Sequence, residues 1–139
     1  MIFVPAVEVW RRYGRANTMI SIFVNGRRYK GCTLKQLFRE FNDTIIWRDV
    51  ISQIENALNI YFGNLTYHKI EKFTSSSIML ICKGCSMEDN KAKCDAHIGI
   101  TQGIMEALWG TSYEHKVIKD KEKKICCMIL FKKDAKEEI

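Results

Sequence analysis

Cys82, Cys85, Cys94 and His97 fall in one short run, CKGCSMEDNKAKCDAH. The first pair has C-x2-C spacing and the second C-x2-H. A short turn lets two thiolates converge on one ion, and a second such pair completes a tetrahedron of soft ligands. A mixed cysteine–histidine set favours zinc over an iron–sulfur centre. The spacing therefore predicts a Zn2+ site at these four residues. Two further thiols, Cys126 and Cys127, are adjacent in the chain, and either can take the place of His97 through a tertiary contact. Successive strand residues point to opposite faces, so at most one of the two fits easily. The other is then a small apolar core residue.

A closed four-ligand site is structural, whereas catalysis needs an open position. Glu88, Asp89 and Asp95 are the carboxylates near enough in sequence to serve as acid–base partners, and carboxylates in such loops are mostly solvated. His68 and His115 sit in strand-like segments with no partner legible in the sequence, so a structural or exposed role is expected for each. There is no glycine-rich phosphate loop, nucleophile elbow or H-E-x-x-H helix. A Cys–His nucleophilic pair is the remaining catalytic alternative, but the clustering of the cysteines favours metal. No residue is assigned a catalytic role.

These residues must be positioned by the elements around them. Pro5 suits a helix first turn, and Val9, Trp10 and Tyr13 have partial helical spacing over the ambiguous segment 5–19. Asn25-Gly26 between MISIFV and RRYKG is a hairpin signal. Thr33 with Gln36 reads as a capping box opening a short helix that buries Leu34, Leu37, Phe38 and Phe41. A longer helix follows Asn42-Asp43-Thr44, with Trp47, Val50, Ile51, Ile54, Leu58 and Tyr61 as its stripe and Gly63 as its stop. Residues 65–72 and 78–82 read as strands joined by a turn at 74–77. The second is wholly apolar, as in a strand buried on both faces. Residues 92–109 read as a helix ended by Gly110, with Ile98, Thr101, Met105 and Leu108 on one face. Gly99 and Gly103 lie four apart in it and point to close packing against another element. Two strands, 113–119 and 125–132, flank the charged turn 120–123, and the tail 134–139 is expected to be solvated. The order is that of an α+β fold with an antiparallel sheet packed with helices. In it Cys82 ends a strand, Cys85 lies in a tight turn eased by Gly84, and Cys94 and His97 share one face at the start of a helix.

At 139 residues the chain is long enough to bury a core without staples, and one domain, 1–139, is expected. No window approaches the roughly 20 apolar residues of a membrane span. The start lacks a basic n-region and carries Glu8, so it makes a poor signal peptide. Six cysteines without a secretion signal, two of them adjacent, point to reduced thiols and a cytoplasmic location. The net charge of +6 comes from scattered groups: Arg11-Arg12-Arg15, Arg27-Arg28-Lys30 and Lys119 to Lys124. No recognition helix or aromatic–basic motif accompanies them, so they read as solvated surface and nucleic-acid binding is not expected.

The segment CDAHIGITQGIMEALWGTSYEHKVIKDKEKKICCMILF resembles the 4-vinyl reductase domain family. The match rests on Cys94, Gly99, Gly103, Leu108, Gly110 and Cys126 or Cys127, and upstream on Phe62-Gly63-Asn64 and the strands around Ile70 and Ile81, covering roughly residues 45–132. Members commonly carry an earlier cysteine and a glycine in the closing hairpin. Lys119 to Lys124 has neither, and the CKGC pair stands in as the source of ligands. The resemblance implies an α+β fold like that of vesicle-trafficking particle subunits, a homodimer, and a small hydrophobic ligand bound by a sensor or accessory domain. Apolar side chains of 98–108 and the stripe of 45–62 are the expected pocket walls, between helices and sheet. The alternatives are a zinc-dependent enzyme or vinyl reductase accessory protein, which requires an open zinc site, and a structural zinc dimerisation module, which requires no pocket.

Overall fold

Asn25 and Gly26 take φ of 51° and 77°, the two left-handed positions of a type I′ turn. They close the hairpin of β1 (Ile22–Val24) and β2 (Arg27–Tyr29). The computed structural model describes residues 4–17, 20–85 and 89–132, with the backbone alone of Asn64. Met19, Glu88 and the tail 134–139 lie outside the described residues.

The first helix, α1 (Ala6–Ala16), starts directly after Pro5, whose φ of −56° already suits a helix. Its apolar triplet Val9, Trp10 and Tyr13 is exposed and does not form the buried face. The inward side is that of Val7, Arg11 and Gly14. The second helix, α2 (Cys32–Phe41), begins ahead of Thr33, with Gly31 (φ 61°) at its cap. Thr33 Oγ1 turns back, accepting from Lys30 N at 3.1 Å and donating to Lys30 O at 2.8 Å, so the expected capping box with Gln36 does not form. The turn is pinned one residue early because Gly31 N donates to Leu108 O at 2.6 Å.

α3 (Ile45–Phe62) is capped by Thr44, whose Oγ1 accepts from Trp47 N at 3.4 Å. It buries Trp47, Val50, Ile54, Leu58 and Phe62. The stripe ends on Phe62 rather than Tyr61 because it advances in steps of four after Val50, and Tyr61 is left exposed. A 3-10 turn (Gly63–Leu65) leads into the sheet. Its strands are β3 (Tyr67–Phe73), β4 (Ser77–Lys83), β5 (Tyr113–Asp120) and β6 (Ile125–Lys132), in the order β3-β4-β6-β5, every neighbour antiparallel. Ile78, Leu80 and Cys82 of β4 face the core, while Met79 and Ile81 on the other side are half-buried. The strand is thus fully covered on one face, not two, because the helices pack on that face.

α4 (Lys91–Trp109) is capped by Asn90, whose Oδ1 accepts from Lys93 N at 3.0 Å, and it ends at Gly110 in the left-handed conformation (φ 71°). Every residue from His97 to Glu106 is buried. A helix apolar or satisfied all round must be covered all round: the sheet takes one side and α1 the other. A Cβ built on Gly99 would stand 2.5 Å from Val7 O, and one on Gly14 2.5 Å from Ile100 O. The two backbones touch because glycines line the crossing. The core between α2, α3, α4 and β3 centres on Phe38, Trp47, Phe73 and Trp109, mostly edge to face with centroids 4.9 to 6.1 Å apart. The architecture is α+β. No helix among the described residues is long and apolar enough to cross a membrane.

Candidate metal centre

Antiparallel register aligns His68 of β3 with Cys82 of β4, Cys82 with Cys126 of β6, and Cys126 with Lys119 of β5. Directly opposed residues share a face, with Cβ atoms roughly 4.5–5.5 Å apart. The row therefore sets an imidazole, two thiols and an ammonium side by side on the helix-covered face of the sheet. Beneath it the next row, Ile70, Leu80, Met128 and Val117, is apolar and belongs to the core or packs on it. α4 lays Cys94 and His97 over the polar row. Cys85 arrives from the turn after β4, where Gly84 takes φ 62° and its N–H donates to Lys124 O at 3.1 Å.

Cys82, Cys85, Cys94, His97 and Cys126 line one cavity of about 20 Å³, with Lys119, Lys121 and Lys124 among its remaining walls. One water molecule needs about 10–15 Å³ on the same measure. The space suits an atom-sized occupant, not an organic molecule. All four residues predicted from spacing face this cavity, and Cys126 joins them. Cys127 is not among its walls, because strand alternation turns it to the opposite face.

The closest polar contact is between two imidazoles: His68 Nε2 lies 2.7 Å from His97 Nε2. Among the described residues, the ligand atoms that all lie within 4.8 Å of one another are those of His68, Cys82 and His97. Cys85, Cys94 and Cys126 fall outside this group, around the cavity. His68 is fully buried and His97 is 4% exposed. His68 Nδ1 is 3.1 Å from Asn59 Oδ1, which can only accept. Hence His68 carries its proton on Nδ1 and presents the bare Nε2 to His97, which donates. Asn59 also accepts from His68 N at 2.6 Å and donates to His68 O at 3.1 Å, so α3 holds this residue at three points. Phe62 packs edge-on to the His97 ring at 4.6 Å and tilted against that of His68 at 5.2 Å.

Burial disfavours every charge here. It pushes His68 down to about 4, and His97 lower through burial and the facing His68. Burial pushes the Cys82 thiol well up and Cys126 to about 11. At neutral pH these groups are uncharged, and an ion that ligates the thiols must displace their protons. At the outer edge Lys119 Nζ donates to Cys94 Sγ at 3.3 Å, and that bond raises the lysine.

The other candidates are spoken for elsewhere. Asp95 pairs with Lys91 at 2.6 Å, and Asp89 is exposed. His115 Nδ1 donates to Gln102 Oε1 at 2.9 Å, tying β5 to α4. Two buried polar groups escaped the sequence reading. Glu106, with no exposed side-chain surface, accepts from Arg11 Nη1 at 2.7 Å and from Tyr113 N at 2.8 Å. His68 is the second, and only the strand register reveals its partners.

No protein-family profile and no curated protein matches the chain. Among solved structures, the crystal structure of an Fe(II) unliganded H-NOX protein from K. algicida aligns with a TM-score of 0.37 and 12% identity, over 94% of this chain and 90% of that one. A mutant of the same protein aligns equally, over 88% of its chain. A TM-score of 0.37 lies below the level at which two chains share a fold.

Proposed function

We propose that this protein is a zinc-containing domain that binds a small hydrophobic molecule, a sensor of the 4-vinyl reductase type. Zn2+ is held by Cys82, Cys85, Cys94 and His97, with Cys126 as the alternative fourth ligand. The observation that carries this reading is the ion-sized cavity walled by four thiols and an imidazole. The ion would join β4, the turn at Gly84 and the start of α4, acting as a clamp. Four protein ligands would leave the ion no open position, which favours binding over turnover.

The hydrophobic molecule has its own space. A cavity of about 310 Å³ opens between α1, α3 and α4, walled by Tyr13, Ala57, Ile60, Tyr61, Ile100 and Ile104 among others. Small-molecule pockets begin at roughly 300 Å³ and are mostly apolar. The expected walls, 98–108 and 45–62, do contribute, but the space lies among helices rather than between helices and sheet. Ile100 is one turn beyond His97 on α4, so occupancy here bears on the helix that carries two of the metal ligands. The homodimer belongs to the same proposal, with the half-covered face of Met79, Ile81 and exposed Ile118 as its surface. The cytoplasm is the location proposed, since thiols that ligate an ion must stay reduced.

Elemental analysis of the native protein, with mass spectrometry of extracted organics, tests both halves. Bound zinc, a melting temperature lowered by chelator, and an apolar organic molecule are expected. Cys82→Ser should release zinc and cost several kcal/mol, because metal binding is coupled to folding. A metal-free protein whose melting temperature ignores both zinc and chelator would end the metal reading.

A further inference from the structure

We infer that the cluster holds two thiophilic divalent ions, such as Zn2+ or Cd2+, with Cys82 and Cys126 bridging them. His68 and His97 complete the inner ion, and Cys85 and Cys94 the outer. This rests on the metal reading above and adds His68 as a ligand and a second site.

The donors number what a bridged pair requires. Two four-coordinate ions that share two ligands need six donors, and one ion needs four. Four thiols and two imidazoles meet here. Their placement separates into two lobes. Five of the six face the ion-sized cavity, and His68 does not. It lies behind that wall, within 4.8 Å of Cys82 and His97 ligand atoms. Cys82 and His97 thus belong to both the cavity and the inner group. Cys126 lies outside that inner group, but it stands directly across from Cys82 in the β4–β6 register and lines the cavity, which makes it the thiol offered as the second bridge.

The inner lobe is already arranged for an ion. Two nitrogens on one tetrahedral ion stand roughly 3.3 Å apart, for bonds of about 2.0–2.1 Å. The His68 and His97 Nε2 atoms are 2.7 Å apart, so their rings part by about half an ångström to admit it. Ligation moves the His97 proton to Nδ1 and leaves both Nε2 lone pairs facing the ion. His68 keeps its Nδ1–H on Asn59 Oδ1, the outer hydrogen bond that metal-bound imidazoles use to fix their tautomer.

Charge also closes. Two divalent ions displace four protons from four thiols, and four thiolates then balance four positive charges. One ion with the same four thiolates would leave two negative charges on a site where Cys82 has no exposure, and unpaired charge in such a place is costly. Lys119, bonded to Cys94, sits at the outer end.

The experiment titrates zinc alone into reduced, chelator-stripped protein and counts bound ions by native mass spectrometry. Two zinc ions per chain are expected at saturation, falling to one in His68→Gln and to one in Cys85→Ser. Titration with Co2+ gives a readout that needs no variant. Thiolate-to-cobalt absorption should keep rising to the second equivalent, while the electron-spin signal of isolated Co2+ peaks near the first and falls as the ions couple. Saturation at one zinc, with a cobalt spin signal that never falls, overturns the inference and leaves a one-ion centre. Two zinc ions retained in both variants overturn it too. No bound zinc at all overturns the metal reading itself.

Discussion

Helix α4 is fastened at two places by opposite means. Toward α1 it uses backbone contact: Gly99 and Gly103 admit the other helix, and the buried Glu106 is met by Arg11 and by Tyr113 N. The buried carboxylate there has its partners within the chain. At its N-terminal end α4 meets the sheet through Cys94 and His97, against His68, Cys82 and Cys126. That junction has soft donors in excess, and its main internal bond is one imidazole on another. The first junction is complete as folded, whereas the second, on the proposed metal reading, is completed by an ion. The difference separates what the sequence must supply for stability from what it supplies for binding. Variants at the first junction should therefore cost the same with or without metal.

Gly103→Leu tests this most severely. A side chain there has no room, since even a Cβ would collide with Arg11 O and Arg15 N. The cost should exceed about 4 kcal/mol, or the fold should fail, because neither backbone can move without uncovering the other. Urea unfolding with and without chelator should give the same loss. A stable variant would show that α1 is not seated on α4. Arg11→Met comes next. It strips a side chain with no exposed surface of its main counter-charge, which costs about 3–5 kcal/mol, eased by Arg15 Nη1 at 3.7 Å. Adding Glu106→Gln should recover part of the loss in a double-mutant cycle.

How far sequence could see these junctions follows from where the information sits. The convergence of Cys82, Cys85, Cys94 and His97 on one cavity was legible because their spacing is local, and so were the long helices, the Asn-Gly turn and the strand pairs. Cys126 was half legible: alternation says that one of the two adjacent thiols faces inward, but not which. His68 was not legible, and the reason is a single irregularity. The β3–β4 register shifts between Ile70 and Lys72. Continuing the pairing of Phe73 with Ile78 without that shift would put Lys69 opposite Cys82 and turn His68 to the other face. A bulge re-aims a side chain beside a site, and no residue type announces it. α1 misled for another reason. Its seating depends on the absence of side chains at Gly14, Gly99 and Gly103, so the apolar triplet Val9, Trp10 and Tyr13 drew attention to the exposed side. The capping box at Thr33 lost to a tertiary bond, Gly31 N to Leu108 O.

Between pH 6.5 and 5 acid should act chiefly on the buried histidines of the second junction, whereas Glu8, held low by Arg11 beside the first, takes up its proton only in stronger acid. In the unfolded chain both histidines take up protons near pH 6.5. In the fold burial holds His68 to about 4 and His97 lower. The unfolded state therefore binds more protons below pH 6.5, so stability falls as pH falls, at up to about 1.4 kcal/mol per unit for each histidine. Metal-free protein should lose roughly 1.5 kcal/mol per histidine between pH 6.5 and 5, read from urea midpoints across that range. His68→Gln should flatten that slope, and an unaltered slope would place the acid sensitivity elsewhere.

The smallest effect belongs to Lys119, and it separates binding from folding most cleanly. Its side chain is largely exposed, so Lys119→Met should change stability of the metal-free protein by less than about 1 kcal/mol. With metal bound, Cys94 is a thiolate, and the bond from Lys119 Nζ becomes charge-assisted. Losing it should weaken zinc binding by about 1 kcal/mol, roughly fivefold in Kd. The loss should shrink at high salt, because the charge pair lies near solvent. Competition with a colorimetric chelator at two ionic strengths measures it. Lys119→Arg should restore most of the affinity, since charge rather than shape is at work. If Lys119→Met instead destabilised the metal-free chain while leaving zinc affinity alone, the lysine would belong with the self-contained fastening at α1, and the contrast between the two ends of α4 would not hold.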